Sequence, residues 1–255
     1  MQLRLDGKRL DDVAIERLRS FEPPEGYWLA CSYGKDSIVC LDLAKRANVK
    51  YEAHYSVTTV DPPELIYFGR EYYPEVKADH PEKSMWRLLL LLRCMPTRFR
   101  RWCCEQLKEG GGRGRRVITG IRWAESTARS KRTMVDYCGR TDKWRVNPII
   151  EWSDSDVWSY IRERQLPYCK LYDEGFKRIG CVLCPLKNQT ERMKDLVRWP
   201  KIAAAWKRGC YRLWESKPTF HEYHPTPEHM WQWWLSGCPG DDNDPNQLEL
   251  FSDDN

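Results

Sequence analysis

No segment of this 255-residue chain is apolar for long enough to cross a bilayer. The longest such run is Leu88 to Leu92, and a spanning helix needs roughly 20 residues. The amino end, Met1 to Asp6, lacks the apolar core of a secretory signal. No internal repeat is visible, and no Gly-Lys-Ser/Thr triplet closes a Walker loop. These absences lead us to expect a soluble, cytoplasmic protein, in a compartment where thiols stay reduced. Its eleven cysteines then read as metal ligands, catalytic groups or packing residues rather than disulfides. With 41% hydrophobic and 31% charged residues, the composition is that of a globular chain and excludes wholesale disorder.

The net charge of +5 is unevenly spread. Eleven Lys/Arg against three Glu fall between Arg98 and Arg132, while the last sixteen residues carry six acids and no base. The basic stretch suits the phosphates of a nucleotide or nucleic acid, or it is a solvated basic face. Between Gly26 and Pro200 the pattern alternates strand and helix. Strands are expected at Tyr27–Cys31, Tyr51–Thr59 and Arg116–Gly120, with an edge segment at Asn147–Ile150. Helices are expected over Ser37–Ala47 and Glu64–Tyr73, and after the N-cap Ser153. That order predicts an α/β fold, a parallel twisted sheet with helices on both faces. Residues 1–25 read as a helical lead-in and 26–195 as the main domain of alternating strands and helices. A helical, Trp-rich region is expected over 196–239, with its rings filling a core, and an acidic disordered tail over 240–255.

Two local patterns carry chemistry. The first is Ser32-Tyr33-Gly34-Lys35-Asp36-Ser37, placed after a strand and before a helix. There, free backbone N–H groups and the helix dipole face an anion. Ser32 and Ser37 add hydroxyls, Lys35 adds a point charge, and Asp36 suits the magnesium that accompanies nucleotide phosphates. An ordinary polar turn is the plainer alternative. The second pattern is the adjacent pair Cys103-Cys104 with Cys181-Val182-Leu183-Cys184. Neighbouring side chains diverge, which makes one zinc ion an awkward shared target. A cubane offers several irons, so a [4Fe–4S] cluster is favoured over structural zinc, and a redox-active Cys-x-x-Cys pair is a third reading.

The hexapeptide resembles the PP-loop of the ATP-pyrophosphatase superfamily, with Tyr33 in place of the motif's first glycine. The segment Thr58–Glu64, containing Asp61, resembles that superfamily's second nucleotide-binding segment. Gly120-Ile121-Arg122 with Glu125, Ser126 and Arg129 is similar to its arginine-bearing loop. Together with the four cysteines, these motifs resemble the cluster-binding branch of the phosphoadenosine-phosphosulfate reductase family over about Gly26 to Pro200. The resemblance implies an adenine nucleotide alpha hydrolase-like fold and an enzyme using ATP or an adenylyl sulfate with Mg2+. It also implies nucleotide contacts from Ser32, Tyr33, Gly34, Lys35, Asp36, Ser37, Asp61 and Gly120. Lys35, Asp36, Arg122 and Arg129 would be catalytic, and Cys103, Cys104, Cys181 and Cys184 would be cluster ligands.

The family's reductases carry a nucleophilic cysteine in a Glu-Cys-Gly-x-His segment, which this chain lacks. Cys210 and Cys238 stand in different surroundings. The expected function is therefore adenylation of an acceptor for sulfur transfer, with nucleic acid as a candidate acceptor. That plan is similar to DNA-phosphorothioation components and tRNA-thiolating enzymes. The alternatives are a sulfonucleotide reductase with an unconventional nucleophile, or a nucleotide-sensing module without turnover. Arg113, Arg115 and Arg116 would suit a nucleic-acid backbone or form a mobile basic loop. In the tail, Gln247-Leu248-Glu249-Leu250-Phe251 resembles the peptide by which bacterial DNA enzymes dock on the sliding clamp, which makes the clamp a candidate partner.

Overall fold

The computed structural model describes residues 7–238, so the acidic tail and the clamp-like peptide at Gln247, Leu248, Leu250 and Phe251 lie outside the described residues. In chain order the first elements are α1 (Leu10–Ser20), β1 (Tyr27–Ala30), α2 (Lys35–Ala47), β2 (Tyr51–Ser56), α3 (Pro63–Tyr72) and β3 (Lys77–Asp79). Then come α4 (Met85–Leu92), α5 (Trp102–Leu107), β4 (Arg116–Ile118), α6 (Thr127–Ser130), β5 (Val135–Cys138) and β6 (Lys143–Val146). The last four are α7 (Asp154–Glu163), α8 (Gln189–Arg198), α9 (Pro200–Ser216) and α10 (Pro227–Leu235). The chain divides into two compact units: residues up to 57, 63–80 and 110–179 form one, and 58–62, 81–109 and 180 onward form the other.

The first unit holds all six strands in the order β3-β2-β1-β4-β6-β5. Neighbours are parallel except β5, which pairs antiparallel with β6 at the edge. This is the expected α/β sheet flanked by helices, with an antiparallel edge strand added. Tyr27 and Leu29 of β1 are buried, as a central strand requires. The N-terminal helix α1 forms where expected, burying Val13, Ile15 and Leu18, and it is bound to α2 by Arg46 on Asp11 at 2.7 Å. Pro63 opens α3, where its missing N–H costs nothing. Ser153 and Asp156 close a capping box on α7.

The sequence expectation fails at two places. Asn147–Ile150 is a turn, and the strand is the preceding Lys143–Val146. Asn147 is buried, its amide donating to the Thr133 carbonyl at 2.9 Å, and Pro148 cannot donate to a ladder. The second strand stops at Ser56 rather than Thr59, because Thr58 to Pro62 leave the sheet for the second unit.

The second unit comprises α4, α5, α8, α9 and α10 around an indole core. Trp206 and Trp234 lie 4.8 Å apart, and Trp86 meets Trp206 edge-on at 5.2 Å. Each of the two central indoles finds an acceptor: Trp206 donates to the Val182 carbonyl at 3.2 Å and Trp234 to that of Pro96 at 2.7 Å. Among the described residues no helix is long and apolar enough to cross a membrane.

Candidate nucleotide loop and thiol centre

β1 and β4 are sheet neighbours whose following segments diverge, so the crevice at their carboxyl ends is a topological switch point. The loop Ser32–Ser37 opens there from β1 into α2. Ser37 organises it. Its hydroxyl donates to the Gly34 carbonyl at 2.9 Å and accepts the Ser32 amide at 3.1 Å. Tyr33 takes the left-handed conformation (φ 56°) that glycine occupies in the motif. Its ring is buried, stacks on Tyr55 at 4.5 Å and lies over Gly69 of α3. A Cβ at Gly69 would fall 2.3 Å from that ring, so Gly69 is the residue that accommodates the tyrosine. Gly120, leaving β4, passes against α2, and a Cβ there would meet the Asp36 Cβ at 2.9 Å.

Behind the loop stands a cluster of alternating charge. Arg122 is 1% exposed; its Nε donates to Asp36 at 2.7 Å, one terminal nitrogen to Asp154 at 2.5 Å and the other to the Trp152 carbonyl at 3.1 Å. Lys35, also buried, places Nζ 3.3 Å from Asp36 and 3.4 Å from Asp154. Burial would raise the Asp154 carboxyl, but Arg122 and Lys35 outweigh it and hold the group below its usual range. Arg122 is thus fully engaged and fixes Asp36, rather than standing as a free fork. Both oxygens of Asp36 face cations, Oδ1 on Arg122 and Oδ2 on Lys35, so the carboxylate as placed does not fit the magnesium expected of it. Arg129 pairs with Glu125, four residues earlier. Asp154 escaped the sequence reading, where Ser153–Asp156 registered only as a cap.

The second unit brings Cys103 and Cys104, on α5, into one electrostatic neighbourhood with Cys181 and Cys184. A hydrogen bond within the adjacent pair pushes Cys103 up and Cys104 down. Against the opposing effect of burial, and helped by Arg101, that bond favours the Cys104 thiolate. Desolvation would lower Lys108, but Cys181, Asp61 and Cys184 raise it, so Lys108 joins Arg101 as a cation facing the thiols. The Cys181–Cys184 turn is held on every side. The Val182 amide donates to the Val60 carbonyl at 2.8 Å, the Leu183 amide to Asp195 at 2.7 Å, and the Cys181 thiol to Thr58 at 3.4 Å. Leu183 sits at φ 58°, a strained value for a bulky side chain, and Asp195, wholly buried, holds it there together with Lys187. Among the described residues no group of three or more His, Cys, Asp or Glu side chains is arranged to hold a metal ion.

The remaining candidates are placed as follows. Asp61 belongs to the second unit, its carboxylate accepting the Thr58 amide at 2.8 Å. Arg115 and Arg116 are spent internally, on the Gly26 carbonyl at 3.0 Å and the Phe21 carbonyl at 2.7 Å, while Arg113 is exposed. Cys210 is buried in α9 and pushed up to about 12 by burial, and Cys238 is buried as well. Cys31, Cys40, Cys94 and Cys169 are buried packing residues. The sequence reading also missed Tyr172, whose hydroxyl accepts the Lys35 amide at 2.9 Å.

Comparison with known proteins agrees with this geometry. The chain is 28% identical over 186 residues to adenosine 5'-phosphosulfate reductase 2 of Bacillus subtilis, covering 67% of this chain and 77% of that one. It is 32% identical over 173 residues to the corresponding reductase of Geobacillus kaustophilus, covering 61% and 71%. An uncharacterized protein of Methanocaldococcus jannaschii is 31% identical over 69% of this chain, which spans only 45% of that protein's length. In fold, the chain is similar to the phosphoadenylyl-sulfate reductase of Candida auris, crystallised with phosphate. The TM-score is 0.52 at 20% identity, over 71% of this chain and 97% of that one. Residues 26–187 match the phosphoadenosine phosphosulfate reductase domain, and the chain belongs to that family of nucleotide-binding enzymes.

Proposed function

We propose that this chain binds ATP at Ser32–Ser37, carries a [4Fe–4S] cluster on Cys103, Cys104, Cys181 and Cys184, and adenylates an acceptor that then receives sulfur. The observation that carries the cluster is the gathering of two sequence-distant thiol pairs in one unit, with one thiol already favoured as thiolate and Lys108 facing them. Adjacent thiols on α5 diverge, which suits a cubane, whose irons are separate points of attachment. Bound there, the cluster supplies electron-transfer or iron-centred sulfur chemistry. The chain's own residues do the rest. Ser37 and Gly34 shape the loop, Lys35 meets phosphate charge, Arg122, itself fixed by Asp154, holds Asp36 in place, and Arg129 is available from α6 once it leaves Glu125.

A sulfonucleotide reductase is the second reading, favoured by the relatives' activity. It requires an accessible thiolate, and neither Cys210 nor Cys238 provides one. The test gives anaerobically purified protein ATP with fractionated nucleic acid as acceptor, and separately an adenylyl sulfate with a thiol donor. Acceptor-dependent pyrophosphate without sulfite supports adenylation, whereas sulfite from the adenylyl sulfate supports the reductase.

A further inference from the structure

The loop's first helical amide is not left to the loop. The Lys35 N–H, at the start of α2, donates to the Tyr172 hydroxyl at 2.9 Å, across 137 residues of chain. Tyr172 ends a short 3-10 turn, Lys170–Tyr172, and its ring is wedged edge-on against Trp158 at 5.1 Å. Tyr168 also meets Trp158 edge-on, at 5.2 Å, so the phenol is aimed by a packed aromatic group. Its oxygen is placed as tightly as the loop's own hydroxyls. A point where a Cβ of Gly34 would stand is 3.4 Å from both the Ser32 Oγ and the Tyr172 Oη. Two hydroxyls far apart in sequence, on Ser32 and Tyr172, thus converge beside the one glycine of the loop.

We propose that Tyr172 is a phosphate-binding residue of the loop, accepting the Lys35 amide and donating its own O–H to a phosphoryl oxygen of the nucleotide. A phenol oxygen whose lone pair is taken by an amide has its proton free to point elsewhere. Burial raises the phenol's pKa, so the proton is retained at neutral pH and available to donate. A neutral donor also adds a contact without adding charge beside Lys35 and Arg122. The motif itself contains no tyrosine at this place, since the residue arrives from beyond α7.

The proposal rests on the reading that Ser32–Ser37 binds nucleotide phosphates, and the experiment separates the two. ATP, pyrophosphate and adenosine are titrated calorimetrically into the full chain and into Tyr172→Phe, which keeps the ring packed on Trp158. A thermal melt checks the fold. A hydrogen bond to a charged group lost from a buried site weakens binding by roughly tenfold to a hundredfold. That loss is expected for ATP and pyrophosphate, with adenosine unchanged. Equal or tighter binding of ATP by Tyr172→Phe overturns the proposal, tighter binding meaning that the phenol blocks the loop. A loss shared by adenosine overturns it too, because the ring and not the hydroxyl would then matter. If the unaltered chain binds neither ATP nor pyrophosphate, the loop reading falls and the proposal with it.

Discussion

Tyr33 shows how one residue departs from a motif without losing its shape. A tyrosine at φ 56° is tolerable only if its ring has a place to go, and that place is the bare backbone of Gly69. Gly69→Ala should cost about 1–3 kcal/mol by overpacking, read as a lower melting temperature. Adding Tyr33→Gly should make the alanine nearly neutral, so the double-mutant cycle reports the coupling. Independent, additive losses would mean that the ring does not need the glycine. Cys104 makes a second case. In metal-free protein the midpoint of its alkylation rate against pH should lie well below that of a free thiol, because its thiolate is favoured. The bond from Cys103 is the main cause, so Cys103→Ala should move that midpoint up toward the free-thiol value of about 8.5. An unmoved midpoint would assign the effect to Arg101 instead. Residues such as Lys35 and the four cysteines were legible because their neighbours in sequence state their chemistry. Asp154, Tyr172 and Lys108 were not, since their partners lie far off in the chain and nothing local marks them.

Elements were legible wherever burial set their period. β1, α2, α3 and the capped α7 emerged within a few residues of expectation, each marked by an apolar pattern, a proline or a capping serine. The hairpin of β5 and β6 was hidden because β5, Val135–Cys138, is the edge strand and both strands carry polar or exposed residues that dilute the alternation. Helix α8 has a part no pattern reveals: it delivers Asp195 to the amide of Leu183, so the Cys181–Cys184 turn is held by a carboxylate eleven positions beyond it. Removing one partner of a buried pair is costly. Asp195→Ala should destabilise the protein by about 3–5 kcal/mol by chemical denaturation. It should also lower the amount of iron retained after anaerobic purification, while ATP affinity stays within about twofold of the unaltered chain. Full iron retention would show that the turn does not depend on Asp195.

At the scale of the whole molecule, two candidate sites occupy two compact units: the Ser32–Ser37 loop on a mostly parallel sheet, and four thiols on a helical, indole-packed body. The fold class and the family were legible because the loop and the cysteine pattern are independent signals that agree. The division into units was not legible, because Thr58–Pro62 and Pro81–Glu109 interrupt the sheet domain in sequence and belong to the second unit only in space. The functional reading turns on the proposed iron–sulfur cluster held by the four cysteines. Iron and acid-labile sulfide should be measured on anaerobically purified protein beside its visible spectrum. About four of each per chain are expected, with a broad absorbance that bleaches on reduction and is lost in Cys104→Ser and Cys181→Ser. Colourless protein without iron, or with one zinc between those sulfurs, would contradict it.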